Sequence, residues 1–278
     1  MKKAYIGIDV GGTKMTSVLF DGKNILSDFT LATPKDDFKH FVIMLKALID
    51  PLLEKAKTDK LKVQKIGIGI PGVLNGTREQ VLKCANLEIL EGVNLSKALM
   101  EELGFEVKLD NDADCFLRAE VKLGAGMGYK NAYGITLGTG IGGSWWSNEQ
   151  VYYGSHGTAS EIGHTIINNN EPISLEDAYH KLTQNNPGQL AEEAYRGDVL
   201  AEKVFKEVGF LLGVSFANII NLLDPEIIII GGGVAESGDL FLSEVKKTTE
   251  KYLAYPHKIK IVKSKLGPKA GAIGASLL

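Results

Sequence analysis

The chain has 278 residues, 44% of them hydrophobic and 23% charged, with a formal net charge of −3. Apolar material is ample for one large domain or two lobes, and the lack of a basic surplus argues against nucleic acid or an anionic membrane as a partner. The two cysteines, Cys84 and Cys115, offer no disulfide framework and suit a reduced compartment, so a cytoplasmic address is expected.

Near the start, YIGIDV alternates as a strand, and MTSVLF and NILSDFTLA flank Asp21-Gly22 as the arms of a hairpin. The opening stretch is broken by Asp9 and glycines and does not resemble a secretory leader. Helical spacing of apolar residues follows over 36–60, then the strand KIGIGIPG, a helix over 95–103, the strand FEVKLD, and a helix within NDADCFLRAEVKLGAG. The second half opens with two β-type runs around the glycines of LGTGIGG. Helical stretches over 175–223, the strand EIIIIGGG, a helix over 238–252, the strand KIKIV and GPKAGAIGASLL follow. The segment GFLLGVSFANIINLLD is too short to span a bilayer and carries Asn218 and Asn221, so no membrane partner is expected. The order of elements is that of an α/β chain with mixed β-sheets.

IGIDVGGT and YGITLGTGIGG repeat one idea half a chain apart: a strand ends in glycine and threonine and doubles back. Glycine backbone can approach phosphate oxygens closely, with Thr13, Lys14 and Thr139 adding hydroxyls and one compact charge. Asp9 needs an intervening Mg²⁺ to sit beside phosphates. The order Gly11-Gly12-Thr13-Lys14 is not that of a P-loop. Gly138, Gly140 and Gly143 match G-x-G-x-x-G but lead into SWWSNEQVYY, a poor helix start, which excludes a dinucleotide turn. The cluster Gly231-Gly232-Gly233 reads either as close strand–helix packing or as a surface for adenosine.

LDNDADC places Asp110, Asn111, Asp112 and Asp114 between a strand and a helix. One N-cap does not need four such residues, and a carboxylate there could take the proton of an attacking hydroxyl. Glu161 and His164 in SEIGH have too few companions for a di-iron or zinc centre and suit sugar hydroxyls. No role is assigned to His40, His156, His180 or His257.

Taken together, DVGGTK, GIPG, NDAD, LGTGIGG, SEIGH, LLDPEIIIIGGG and GPKAGAIGA resemble, in order and over essentially the whole chain, the ROK family of repressors, open reading frames and sugar kinases. The resemblance implies a two-lobed actin-like ATPase (ribonuclease H-like) fold with an inter-lobe cleft that closes over a sugar. It implies lobes over 1–112 and 113–278, with residues 265–278 packing back on the first lobe, and a homodimer. It implies an ATP-dependent hexose kinase acting on the 6-hydroxyl of glucose or a relative such as N-acetylmannosamine, N-acetylglucosamine or fructose. Asp112 would be the general base. Gly72, Asn86, Asn111, Glu161, His164 and Glu176 would hold the sugar. Asp9, Gly11, Gly12, Thr13, Lys14, Gly138, Thr139 and Gly140 would surround ATP and Mg²⁺, the metal reached from Asp9 through water, with Gly232 and Gly233 near adenosine.

Three departures from the family pattern stand out. The stretch TIINNNEPISLEDAY has no cysteine where many members carry a zinc loop, so no zinc is expected and packing or hydrogen bonds must hold the loop. Asp114 stands where Asn is usual, and CANLE replaces the usual PNL around Asn86. A sugar-responsive regulator of the same family is the rival reading. Such regulators carry a helix-turn-helix domain in front, for which a turn beginning at Asp9 leaves no room. A binding protein without catalysis is the third reading.

Overall fold

Alternating apolar residues over Lys2–Val10 form β1 in the computed structural model, which describes residues 2–168 and 171–278. β2 (Lys14–Phe20) returns antiparallel to β1, and β3 (Ile25–Ala32) pairs with β2. The Asp21 carboxylate holds that hairpin by accepting from the N–H groups of Lys23 and Asn24 at 2.9 and 2.6 Å. Asp37 caps α1 (Phe38–Thr58), whose apolar face enters the core through Phe41, Leu45, Leu48 and Leu52. β4 (Leu61–Ile70) runs parallel to β1, and a short ribbon, β5 (Val73–Leu74) with β6 (Val81–Lys83), follows. α2 (Leu95–Leu103), β7 (Val107–Asn111) and α3 (Asp112–Leu123) complete this region. The sheet order is β3-β2-β1-β4-β7.

The second region repeats this strand order. β8 (Ala132–Leu137) and β9 (Ile141–Ser147) are antiparallel, and β10 (Gln150–Val151) extends the edge. α4 (Leu175–Thr183), α5 (Pro187–Tyr195) and α6 (Val199–Leu223) precede β11 (Ile227–Gly231); α7 (Leu242–Tyr252) and β12 (Lys260–Lys263) follow it. The sheet order is β10-β9-β8-β11-β12, with β11 parallel to both β8 and β12. The expected helix over 238–252 is divided: a 3-10 segment over Gly233–Leu240 precedes α7.

α6 has 25 residues, so the length argument against a membrane span is corrected: by length and composition it could cross one. Its buried face, with Phe205, Leu212 and Phe216, lies instead in the core of the second unit.

Backbone contacts divide the chain into one unit of Met1–Leu123, Val151–Ala159 and Lys269–Leu278, and another of Gly124–Gln150 and Ser160–Pro268. The boundary expected after residue 112 would fall at the start of α3; the first unit instead runs to its end at Leu123, and α8 (Ala270–Ser276) packs along it. That packing is backbone on backbone. A methyl group at Gly7 or Gly67 would overlap the carbonyl oxygens of Ala272 and Ala275, and one at Gly274 that of Cys115.

A buried charge cluster ties the same unit together. Asp110, 1% exposed, accepts from Arg78 at 2.8 Å, Arg118 at 2.7 Å and the Tyr153 hydroxyl at 2.9 Å. Arg78 also reaches Asp114 at 2.6 Å and lies over the Tyr153 ring, 4.0 Å from its centroid. Asp114, unusual for its position in the sequence motif, therefore has a cationic partner 36 residues upstream.

Gly274→Ala is expected to lower the thermal unfolding midpoint sharply or abolish soluble folding. Gly188→Ala, where an added Cβ meets nothing within 4 Å, should be neutral; an equal effect of the two would remove the packing argument. Arg78→Ala takes the guanidinium from Asp114 and one of two guanidinium partners from Asp110, and should cost about 3 kcal/mol in urea unfolding. Asp114→Asn keeps the Arg78–Asp110 pair and should cost clearly less.

Candidate active site

The first unit gathers its candidate residues at the carboxyl ends of β1, β4 and β7, where parallel sheets of α/β proteins present ligands. Pairing sets Asp9 beside Gly69, Gly69 beside Asp110 and Ile70 beside Asn111. The turn after Asp9 is closed by the Gly11 N–H, which donates to the Lys14 carbonyl at 2.9 Å. Thr33 holds the turn from one side: its hydroxyl donates to the Gly11 carbonyl at 2.7 Å and its N–H to the Thr13 carbonyl at 3.0 Å. Thr13 and Lys14 are exposed. Asn86 lies against Gly12, where an added Cβ would come within 3.2 Å of its side chain.

The Asp9 carboxyl sits against Gly271 at the start of α8; a methyl there would approach Oδ2 to 2.5 Å. Loss of hydration and, second, the Asp112 charge push its pKa up to about 7, with Lys14 pulling the other way. Burial likewise raises the Asp112 carboxyl above the ordinary carboxylate range, and the Ala113 N–H, donating to Oδ1 at 2.9 Å, offsets part of that. Both carboxyls therefore sit in recesses that disfavour charge, each keeping part of its surface to solvent. Asn111 caps α3, its Oδ1 accepting from the Ala113 and Asp114 N–H groups at 2.8 and 3.3 Å. Its amide donates to the Gly72 carbonyl at 3.0 Å, so the GIPG turn and the helix start form one piece. Gly72 has φ +97° and passes so close to Lys83 that a side chain would overlap its carbonyl.

The second unit gathers the other candidates around the β8–β9 turn. The Gly138 N–H donates to the Gly140 carbonyl at 3.0 Å, and Thr139 is exposed. Glu176 lies beneath Gly140 and accepts from the Ile141 N–H at 2.6 Å, so this carboxylate holds the turn. Gly163, between Glu161 and His164, is pressed against the Ile141 carbonyl and the Glu176 side chain. This brings the 3-10 turn Ile162–His164 to the same place, with His164 exposed. Gly232 (φ +88°) packs on the Leu137 backbone, whereas an added Cβ at Gly233 meets nothing within 4 Å. Of the two readings of that glycine cluster, close packing describes Gly232, and only Gly233 faces open space.

The donors near Asp9 are carboxylate and hydroxyl oxygens, which fit Mg²⁺ and not a soft metal. The stretch lacking the zinc-loop cysteines is held by backbone: Ile166 bridges Ser174, the Ile167 N–H donates to Ile173, and the Leu175 N–H to Thr165. Asn169 and Asn170 of that stretch lie outside the described residues.

Sequence reasoning passed over Arg78, Arg118, Tyr153, Tyr179 and His180. Arg78 and Tyr153 reach Asp110 across 32 and 43 residues, and no local pattern carries such pairings. His180 carried a signal, since it lies one helical turn beyond Glu176 on α4.

The family model of the ROK family matches residues 5–278. An N-acetyl-D-glucosamine kinase of Photobacterium profundum is 30% identical, over 99% of this chain and 98% of its own. A glucokinase of Halalkalibacterium halodurans is 31% identical, over 99% and 94%. Among solved structures, a ROK family glucokinase from Streptomyces griseus in complex with glucose and AMPPNP superposes with a TM-score of 0.86 at 26% identity, covering 98% of both chains. A family match that begins at the first candidate strand and runs to the last residue, together with that shared actin-like α/β fold, leaves one conclusion: the chain belongs to the ROK family.

Proposed function

We propose that this ROK protein is an ATP-dependent hexose kinase that transfers the γ-phosphoryl group to a sugar hydroxyl. The observation that carries this reading is the placement of Asp9 and Asp112 at the ends of β1 and β7, the two strands that flank β4 in one sheet, one beside an exposed glycine turn and the other at a helix start tethered to Gly72. Asp112 is the general base: its carboxylate accepts the proton of the attacking hydroxyl, and a raised pKa makes it a better acceptor at neutral pH. Asn111 spends one amide hydrogen on Gly72, leaving the second to orient a sugar hydroxyl. Gly12 and Thr13 in one unit, and Thr139 and Gly140 in the other, offer backbone N–H groups and hydroxyls to phosphate oxygens, while the N–H groups of Gly11 and Gly138 close the two turns. Mg²⁺, held from Asp9 through water, supplies charge neutralisation on the phosphate oxygens when bound. Asn86, Glu161 and His164 contribute to sugar recognition, Gly233 to adenosine.

The relatives divide between N-acetylhexosamine kinases and glucokinases at nearly equal identity, so the substrate class is a hexose or N-acetylhexosamine with a free primary hydroxyl. Glu176 spends one oxygen on the Ile141 N–H, and only its other oxygen is assigned to the sugar.

An ADP-release assay over glucose, fructose, N-acetylglucosamine, N-acetylgalactosamine and N-acetylmannosamine should show sugar-dependent turnover with at least one of them. ATP loss that ignores sugar, with no phosphosugar formed, would overturn the reading. Asp112→Ala should lower kcat by about 10²- to 10⁴-fold while nucleotide binding persists; unchanged turnover would remove Asp112 from the mechanism.

The carboxyl of Asp9 also bears on stability. Its folded pKa, about 7, exceeds the ordinary carboxyl value of 3.8, so the folded state holds its proton more tightly than the unfolded chain. The ionised form thus costs stability above pH 7, and that cost disappears as pH falls toward 4. Without nucleotide or magnesium, Asp9→Asn should melt above wild type at pH 8, with the gap closing by pH 4. A gap that widens on acidification would refute it.

A further inference from the structure

One face of α4 is spent on the β8–β9 turn. Glu176, Tyr179 and His180, spaced i, i+3 and i+4, lie together on that face and reach three backbone groups of a four-residue stretch. Glu176 accepts from the Ile141 N–H at 2.6 Å, the Tyr179 hydroxyl donates to the Gly138 carbonyl at 3.0 Å, and His180 Nε2 lies 2.6 Å from the Thr139 carbonyl. A carbonyl only accepts, so Nε2 carries the hydrogen, in the neutral tautomer or the imidazolium alike. Burial holds the Tyr179 hydroxyl well above its usual pKa, which keeps it a donor.

The consequence follows from peptide geometry. Among the described residues no peptide bond is cis, and in a trans peptide the N–H points opposite to the carbonyl of the preceding residue. Drawing the Gly138 and Thr139 carbonyls toward α4 turns the N–H groups of Thr139 and Gly140 to the other side. That side is open: an added Cβ at Gly138 meets nothing within 4 Å, and Thr139 is exposed. Two adjacent outward N–H groups form a concavity for an anion. α4 is in turn fixed at its start by the pairing of Ile166 with Ser174 and by the buried Leu175.

We propose that Tyr179 and His180 are positioning residues for the phosphates of the nucleotide, acting through the peptide orientation of the second glycine turn. This deepens the kinase reading and rests on it for the identity of the anion.

Steady-state kinetics and calorimetric binding of AMPPNP to the full chain test the proposal together. His180→Ala should raise KM for ATP and weaken AMPPNP binding by roughly 3- to 10-fold, the loss expected of one hydrogen bond. KM for the hexose and the thermal midpoint should stay near wild type. His180→Gln, whose amide nitrogen can take the place of Nε2, should recover most of the loss, and the shorter His180→Asn should not. Tyr179→Phe should repeat the nucleotide-selective effect. Unchanged nucleotide affinity in His180→Ala, an equal rise in both KM values with a falling midpoint, or no recovery by Gln would each overturn it. Wild-type protein that binds AMPPNP but phosphorylates no sugar would sink the kinase reading alone; protein that binds no nucleotide would sink both.

Discussion

The first unit depends on the backbone of α8 lying directly on the backbones of β1, β4 and α3. Three glycines from separate parts of the chain, Gly7, Gly67 and Gly274, make this approach possible, since each would place a methyl group into a neighbouring carbonyl oxygen. Ordinary helix–sheet packing is spaced by side chains; here the spacer is missing and no rotamer change can make room. The same approach sets Gly271 against the Asp9 carboxyl and holds α3, hence Asp112, against the strand ends. The position of both candidate catalytic carboxyls follows from a packing constraint.

That corner carries charge where hydration is poor. Asp110 is buried but fully partnered by two arginines and a tyrosine, so its charge is compensated. Among the described residues no arginine or tyrosine pairs with Asp9 or Asp112, and burial pushes both toward neutrality. Neighbouring carboxyls are thus treated in opposite ways: one is neutralised by ion pairing, the others are held where burial disfavours their charge, at a cost in stability. Asp114 belongs with the first group, through Arg78.

The two glycine turns occupy the same place in two sheets of the same strand order, yet they are held differently. Thr33, at the end of the neighbouring hairpin, holds the carbonyls of the first turn, whereas three side chains of α4 hold the second. Backbone pairing fixes the start of α4 within the stretch that lacks the family's metal-binding cysteines. The chain thus anchors the second turn through hydrogen bonds among residues that carry no recognisable motif.

Most elements were legible in the sequence because their signals are local. Apolar period, Asp-Gly and the glycine-threonine strand ends each act within a few residues. What sequence reading missed has a common physical cause. The boundary at 112 moved because α3 is claimed by α8, 150 residues away in the chain. Arg78 and His180 gained their partners only when a distant carboxylate and a distant carbonyl were brought within 3 Å of them. The amino-acid sequence by itself determined the elements, the two glycine turns and the family. The tertiary structure decided which carboxyls are paired, which are buried without a cation, and what holds each turn, because desolvation and hydrogen bonding depend on neighbours that chain order does not specify.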